Sequence, residues 1–392
     1  MKLKPQFVYI AFDVFPSKKG AATHISHCLN ALQKTFNVGL LICLGNDSMP
    51  TFQFDAQRNL YVYRWKEKIY NFLERTTKFQ TAVSNILQSN ICSNIQLIHF
   101  RDIWGGLPAI KSSKIVKTVF EINAFNHIEL PNRYPNISLS AIQKIKDIER
   151  FCVKKASVII TPSRVTKLFI SKFESINSNK IHVISNGVTI YESTNNIALN
   201  LKPHSYILYF GALQKWQGIK TLLKALKELE NTNVYLVICA SVPEKRTEIY
   251  QELAQTIGVN HKVKWMFELD KENLSHVIKN AVLTVAPLTA CNRNIVQGCN
   301  PLKILESLAY GTPVVASDLP VVTEIIKDNK TGFLVPPDRP QILGRTIKTL
   351  LDKPEKLKRV GKNGKIAMEK NYLWKYQESK MINLYKSELE YV

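Results

Sequence analysis

Short apolar runs alternate with helix-period segments along almost the whole chain, and this alternation limits the possible folds most. FVYIAF (7–12), VGLLICL (38–44), IQLIHF (95–100), KTVFEI (117–122) and SVIITPS (157–163) read as buried strands. Strands apolar on both faces must be covered on both faces, which points to parallel sheets between helix layers. Helical periods at 21–34, 66–87 and 138–155 supply that cover. The pattern lapses after IHVISNGV (181–188) in the polar stretch TIYESTNNIALNLKPHS (189–205). It restarts with SYILYFG (205–211), VYLVICA (234–240), KVKWM (262–266), VLTVAPL (282–288) and PVVAS (313–317), with helices at 218–230, 341–351 and 354–369. The expectation is an α/β chain of two Rossmann-like, doubly wound domains facing across a cleft. The first covers 1–188, a linker 189–204, the second 205–370, and a helix over 371–392 packs back toward the first.

Charge is the compositional outlier. Lys and Arg number 53 against 31 Asp and Glu, a net +22. Such a surplus attracts polyanions or anionic membranes, or simply gives a solvated basic surface. The seven cysteines lack metal-knuckle or redox spacing, which suits a reducing compartment. The N-terminus lacks signal-peptide form, and no run is long enough to span a bilayer. A cytoplasmic protein is expected, with peripheral contact at the inner membrane face as a further candidate. No nucleic-acid module, P-loop, GxGxxG fingerprint, HExxH or other metal motif is present. No metal and no cofactor are expected.

Three stretches could carry chemistry. In GCNPLKILESLAYGTPVVAS (298–317), Asn300 reads as an N-cap and Pro301 as the first helical residue. The open amides of Leu302 and Lys303 then form an anion site, and a cation in a first helical turn opposes the dipole unless an anion lies beside it. Glu306 shares that helix face, where a carboxylate can accept from a vicinal diol. On spacing alone the two read first as a surface pair. Gly20 and Ala21 open a helix after the first strand, where backbone can approach a ligand. FEINAFNHIELP (120–131) places Glu121, Asn123 and His127 in a loop after a strand, among which the residues do not choose. Arg101 and Asp102 read as a turn and helix cap.

ISNGV (184–188), YFGALQKWQGIKTLL (209–223), VAPL (285–288), the NPLKILESLAYGTPVVAS run (300–317) and EIIKDNKTGFLVPP (324–337) occur in one order. Together they resemble the nucleotide-sugar domain of the family-4 retaining glycosyltransferases, which have the GT-B fold, in a branch with a PLK-type helix start and a WQG-type loop. The resemblance implies sugar transfer from a nucleotide diphosphate sugar, without a metal, to a glycan or lipid-linked hydroxyl. It implies donor contacts from Gly20, Ala21, Gly211, Lys215, Gln217, Gly218, Asn300, Pro301, Leu302, Lys303 and Glu306, with Glu306 on the ribose. Glu121, Asn123 and His127 lie where the family often has a histidine. The chain also departs from the family. Gly298 stands where a first glutamate is usual, and Ala212 and Gln217 stand where two phosphate-binding cations are common. Lys303, and less directly Lys215, are then the candidates for the diphosphate. A non-catalytic nucleotide-sugar-binding protein of the same fold is the alternative.

Overall fold

The computed structural model describes residues 4–17, 20–112, 116–174, 176–191 and 201–389. The chain divides into two units, Met1–Ser185 with Lys375–Val392, and Asn186–Trp374. Most of the expected linker, 192–200, lies outside the described residues.

In the first unit the strands are β1 Phe7–Val14, β2 Gly39–Leu44, β3 Phe52–Asp55, β4 Leu60–Trp65, β5 Leu97–Phe100, β6 Lys117–Glu121, β7 Val158–Thr161 and β8 Ile181–Val183. They form one eight-stranded sheet in the order β3-β4-β2-β1-β5-β6-β7-β8. Only the β3–β4 pair is antiparallel. Helices α1 Gly20–Gln33, α2 Phe72–Gln88, α3 Ile103–Lys111, α4 Asn126–Arg133, α5 Leu139–Lys155 and α6 Arg164–Glu174 connect the strands. One core lies on each face of the sheet, which is why β2 is buried along its whole length. The chain winds outward from β1 to β4, then returns to β5 on the other side of β1. The carboxyl ends of β1 and β5 are therefore a topological switch point.

The second unit repeats the plan with β9 Tyr206–Gly211, β10 Tyr235–Ala240, β11 Val263–Phe267, β12 Leu283–Ala286, β13 Val314–Ser317 and β14 Phe333–Val335. Its six-stranded sheet is wholly parallel, in the order β11-β10-β9-β12-β13-β14, so its switch point lies between β9 and β12. Helices α7 Ile219–Ala225, α8 Glu248–Thr256, α9 Lys271–Lys279, α10 Leu302–Ala309, α11 Pro320–Thr323, α12 Pro340–Leu351 and α13 Pro354–Asn371 complete it.

The last helix, α14 Trp374–Leu389, belongs to the first unit from Lys375 onward. Met381, Leu384 and Tyr385 are buried with Cys28, Leu29 and Leu32 of α1 in one core. Glu378 accepts from Lys34 at 2.7 Å and lies 2.7 Å from His27 Nδ1. The Tyr385 hydroxyl lies 2.9 Å from His99 Nδ1. No described helix is long and apolar enough to cross a membrane.

Several local readings change. The β3–β4 hairpin was not expected, although FQFD and LYVYRW contain its strand residues. The amphipathic helix expected from 66 begins at Phe72, where the Asn71 side chain accepts from the Glu74 amide. The helix expected over 218–230 is α7 followed by a 3₁₀ turn through Leu229. The start of α10 moves by one residue. Pro301 is the capping residue, with φ −74° and ψ 95°, and Leu302 is the first helical residue. Asn300 does not cap the helix, because no side-chain bond closes that end.

Candidate active site

In the second unit the site is built where β9 and β12 part. β9 ends at Gly211 with φ +112°, and a short turn through Lys215 and Gln217 leads to Gly218 at φ +74°. A Cβ at Gly218 would lie 1.7 Å from the Pro287 carbonyl oxygen, so only glycine lets this loop sit against the end of β12. Asn294 donates to the Trp216 and Thr289 carbonyls, and Arg293 stacks 4.8 Å from the Trp216 ring centroid. The WQG loop is thus fastened to the segment leading into α10.

Lys303 reaches from the first turn of α10 into this loop. Its Nζ donates to Gln217 Oε1 at 2.6 Å and lies 3.8 Å from the Tyr209 ring centroid. Its Cε would be 3.9 Å from a Cβ at Gly211. The structure therefore brings Gly211, Gln217 and Lys303 together, while Lys215 is exposed outside that set. No carboxylate forms an ion pair with Lys303 among the described residues; its polar partner is a neutral amide. Burial pushes the Lys303 ammonium down to about 7, against the pull of Glu306. Burial pushes Glu306 up to about 7, against Lys271 and Lys303. Both side chains keep partial exposure, so they are neither a surface pair nor sealed in the core. By position the amides of Leu302 and Lys303 have no intrahelical acceptor, leaving the positive end of α10 open. Asn300 Oδ1 is shielded from solvent without a hydrogen-bond donor among the described residues. Gly298 has φ 81° and ψ 168°, a backbone region essentially reserved for glycine.

Lys271 was not singled out in the sequence. It begins α9, donates to the Tyr191 hydroxyl at 3.1 Å and acts on Glu306 electrostatically. Its only sequence signal is a lysine after a helix-capping aspartate, a common surface pattern. Arg293 was missed too, although it stands close before Gly298.

In the first unit Glu121 ends β6 at the center of a buried polar cluster. It accepts from Tyr9 at 2.8 Å, Cys28 at 3.4 Å, Arg101 and Asn123. His24 Nδ1 lies 3.1 Å away and His99 Nε2 3.3 Å away. Burial would raise this carboxyl, but His24 and Arg101 hold it well below the usual range, so it stays ionised. His24, Cys28 and Glu121 have atoms close enough to share a metal ion. The Arg101 guanidinium already contacts both His24 and Glu121 there, and a second cation would be repelled. Arg101 is therefore part of this cluster rather than a turn residue, whereas Asp102 does cap α3 through the Gly105 amide at 2.9 Å. Asn123 joins Glu121, but His127 does not. The His127 ring pairs with Glu149 and stacks on Phe173 with centroids 5.5 Å apart. Gly20 and Ala21 form the first turn of α1.

Two family models match the chain in succession. Residues 18–191 match Glycosyltransferase Family 4 and residues 191–367 match Glycosyl transferases group 1. The chain carries both domains of a family-4-like, GT-B glycosyltransferase. An uncharacterised glycosyltransferase of Methanocaldococcus jannaschii is 27% identical over 258 residues, 63% of this chain and 64% of that protein. A D-inositol 3-phosphate glycosyltransferase of Corynebacterium efficiens is 27% identical over 223 residues, 53% of this chain and 51% of that protein. The matches thus span between half and two thirds of these relatives. The fold is shared with the sucrose-phosphate synthase of Thermosynechococcus elongatus, at TM-score 0.80 and 17% identity over 99% of this chain and 100% of that one. It is also shared with Anabaena HepE in complex with UDP and glucose, at TM-score 0.73 and 16% identity over 97% and 100%. In the glycosyltransferase frame, the β9–β12 switch point is the donor-side candidate and the β1–β5 switch point lies in the other domain.

Proposed function

We propose that the protein is a retaining, metal-independent glycosyltransferase that moves a hexose from a nucleotide diphosphate sugar to a hydroxyl acceptor in polysaccharide, glycan or glycolipid assembly. The observation that carries this reading is Lys303. It is a largely desolvated cation at the open end of a helix, held over an aromatic ring and, among the described residues, hydrogen-bonded to a neutral amide alone. A diphosphate is the group that completes such a site. Lys303 and the Leu302 and Lys303 amides take the charge that grows on the leaving diphosphate as the glycosidic bond breaks. Glu306, with Lys271 nearby, accepts from the ribose hydroxyls. Asn300 Oδ1 accepts from a donor hydroxyl, and Gly211, Gln217, Gly218 and Pro301 shape the backbone around the diphosphate. Lys215 is a second, more exposed phosphate contact.

We assign the acceptor side to 1–188, the donor side to 205–370 and the tie between termini to 371–392. Gly20 and Ala21 face the donor phosphate or the acceptor in this reading. Glu121 holds Arg101 and His24 in place, Asn123 extends that cluster, and His127 remains a candidate that the cluster does not include. The +22 charge supports work at an anionic membrane surface from the cytoplasmic side. A liposome sedimentation assay with anionic lipid at low salt tests that, and no co-sedimentation refutes it.

Thermal-shift measurements against a panel of nucleotide sugars test the donor site. One donor should stabilise the wild type and lose that effect in Lys303→Ala. Stabilisation by none, or by all equally in both proteins, would sink the reading. The anomeric configuration of the product tests retention. One observation favours a non-catalytic binding protein instead: Gly298 supplies no carboxylate at the usual first-glutamate position. Donor binding without transfer or hydrolysis would decide for that reading.

A further inference from the structure

A second cavity lies wholly within the first unit, at the carboxyl ends of β1, β2 and β4. Its volume is ≈ 340 Å³, enough for a sugar-sized ligand. None of the residues assigned to the donor line it. Val14, Leu44 and Trp65 contribute apolar wall at the strand ends. Tyr70, fully exposed, stands at the rim as an aromatic face. Three cations and two carboxylates also line it, but they are not equivalent. Lys68 is paired with Asp47 at 2.7 Å, and Lys66 donates to the Met49 carbonyl at 2.7 Å.

Arg75 is different. Its guanidinium carbon lies 5.1 Å from the Phe12 ring centroid. Phe12 is itself packed edge-on against Phe72 and Phe79, so the platform under the guanidinium is fixed. Arg75 Nε is shielded from solvent and meets no acceptor among the described residues, and no carboxylate there pairs with the side chain. Guanidinium presents a planar fork matched to two-oxygen anions.

We propose that this cavity binds a saccharide carrying an oxyanion, a phosphate monoester or a carboxylate, with Arg75 on the anion and Tyr70 against the ring. The reading of the chain as a glycosyltransferase makes this saccharide the acceptor, but the binding itself does not depend on that reading.

The test is calorimetric titration of the full chain, in phosphate-free buffer of low ionic strength, with glucose 6-phosphate, glucuronate and glucose. At least one anionic sugar should bind at least about ten-fold tighter than glucose, and the tighter of the two distinguishes phosphate from carboxylate. Arg75→Gln should bring that sugar down to the level of glucose, while binding of the nucleotide sugar selected by the panel is unchanged. Tyr70→Ala removes a fully exposed side chain, so it cannot unfold the protein. It should weaken the sugar anion several-fold and leave inorganic phosphate binding as it was. The proposal is overturned if neither anion outbinds glucose, if a folded Arg75→Gln still binds the anion, or if Tyr70→Ala binds as the wild type does. Failure of the wild type to bind any nucleotide sugar of the panel would instead refute the donor site and leave this result standing.

Discussion

If Lys303 and Glu306 hold the donor as proposed, binding is a proton-linked event whose direction reverses near neutrality. Both groups sit at about 7, the lysine pushed down and the carboxyl pushed up, each by burial. A diphosphate beside Lys303 favours the charged lysine, and a ribose diol on Glu306 favours the carboxylate. At pH 8 a lysine of pKa about 7 is only about one-tenth charged, so binding takes up roughly 0.9 proton there. Glu306 is already about nine-tenths ionised at that pH and gives up roughly 0.1. At pH 6 the roles exchange, and roughly 0.9 proton leaves Glu306 while Lys303 takes up roughly 0.1. Affinity should therefore peak near pH 7 and fall by up to about ten-fold per unit on either side, because one pKa unit is about 1.4 kcal/mol.

The assay is calorimetry with the nucleotide sugar that the thermal-shift panel selects, whose diphosphate does not titrate in this range, in two buffers of different ionisation enthalpy. The slope between buffers counts protons. Net uptake should appear at pH 8, net release at pH 6 and little of either at pH 7. Lys303→Met should keep only the release limb and Glu306→Gln only the uptake limb. Because the two groups interact, the wild-type curve belongs to the pair, and the variants separate it. A proton count of the same sign at pH 6 and 8, or one unaltered by both variants, refutes the reasoning.

Three further outcomes follow from single positions. Gly218→Ala drives a Cβ into the Pro287 carbonyl oxygen at 1.7 Å and strains a residue at φ +74°, so denaturant unfolding should show a loss of at least about 2–3 kcal/mol. Gly298→Glu, which restores the usual family residue, should lower stability by about 1–3 kcal/mol and fail to raise transfer activity, since φ 81° with ψ 168° does not suit a side chain. Arg101→Met removes the guanidinium from buried Glu121, which keeps His24, Tyr9 and Asn123, so the loss by the same measurement at pH 7 should stay below the about 3–5 kcal/mol of a wholly uncompensated charge.

Much of the fold was legible because parallel strands buried on both faces have to be short apolar runs. The β3–β4 hairpin was not, because β3 is an edge strand with exposed Phe52 and Phe54 and lacks the continuous apolar character that marks the others. At the β9–β12 switch point, Lys303 and Glu306 stood out because a cation in a first helical turn contradicts the helix dipole. The capping frame at Asn300 was off by one, since asparagine's cap preference was outweighed by a proline held in extended backbone. Lys271 and Arg75 were invisible for a different reason. Their roles depend on which chain-distant groups surround them, and an unpaired arginine looks like any other arginine until its neighbors are known. Glu121 was seen, but not its company. Its partners come from β1, α1, β5 and the loop after β6, so no local spacing could reveal them.

The placement of α14 bears on how the chain reaches this fold. Met381, Leu384 and Tyr385 complete the core that α1 shares, and in sequence the whole second unit comes between them and the rest of that core. On the ribosome, the first unit is synthesised early but lacks that face until the second has been made. Until then His99 and Cys28 lack the contacts that Tyr385 and Met381 give them. The second unit, continuous in sequence, has no such wait, so the portion made later is the one free to finish first.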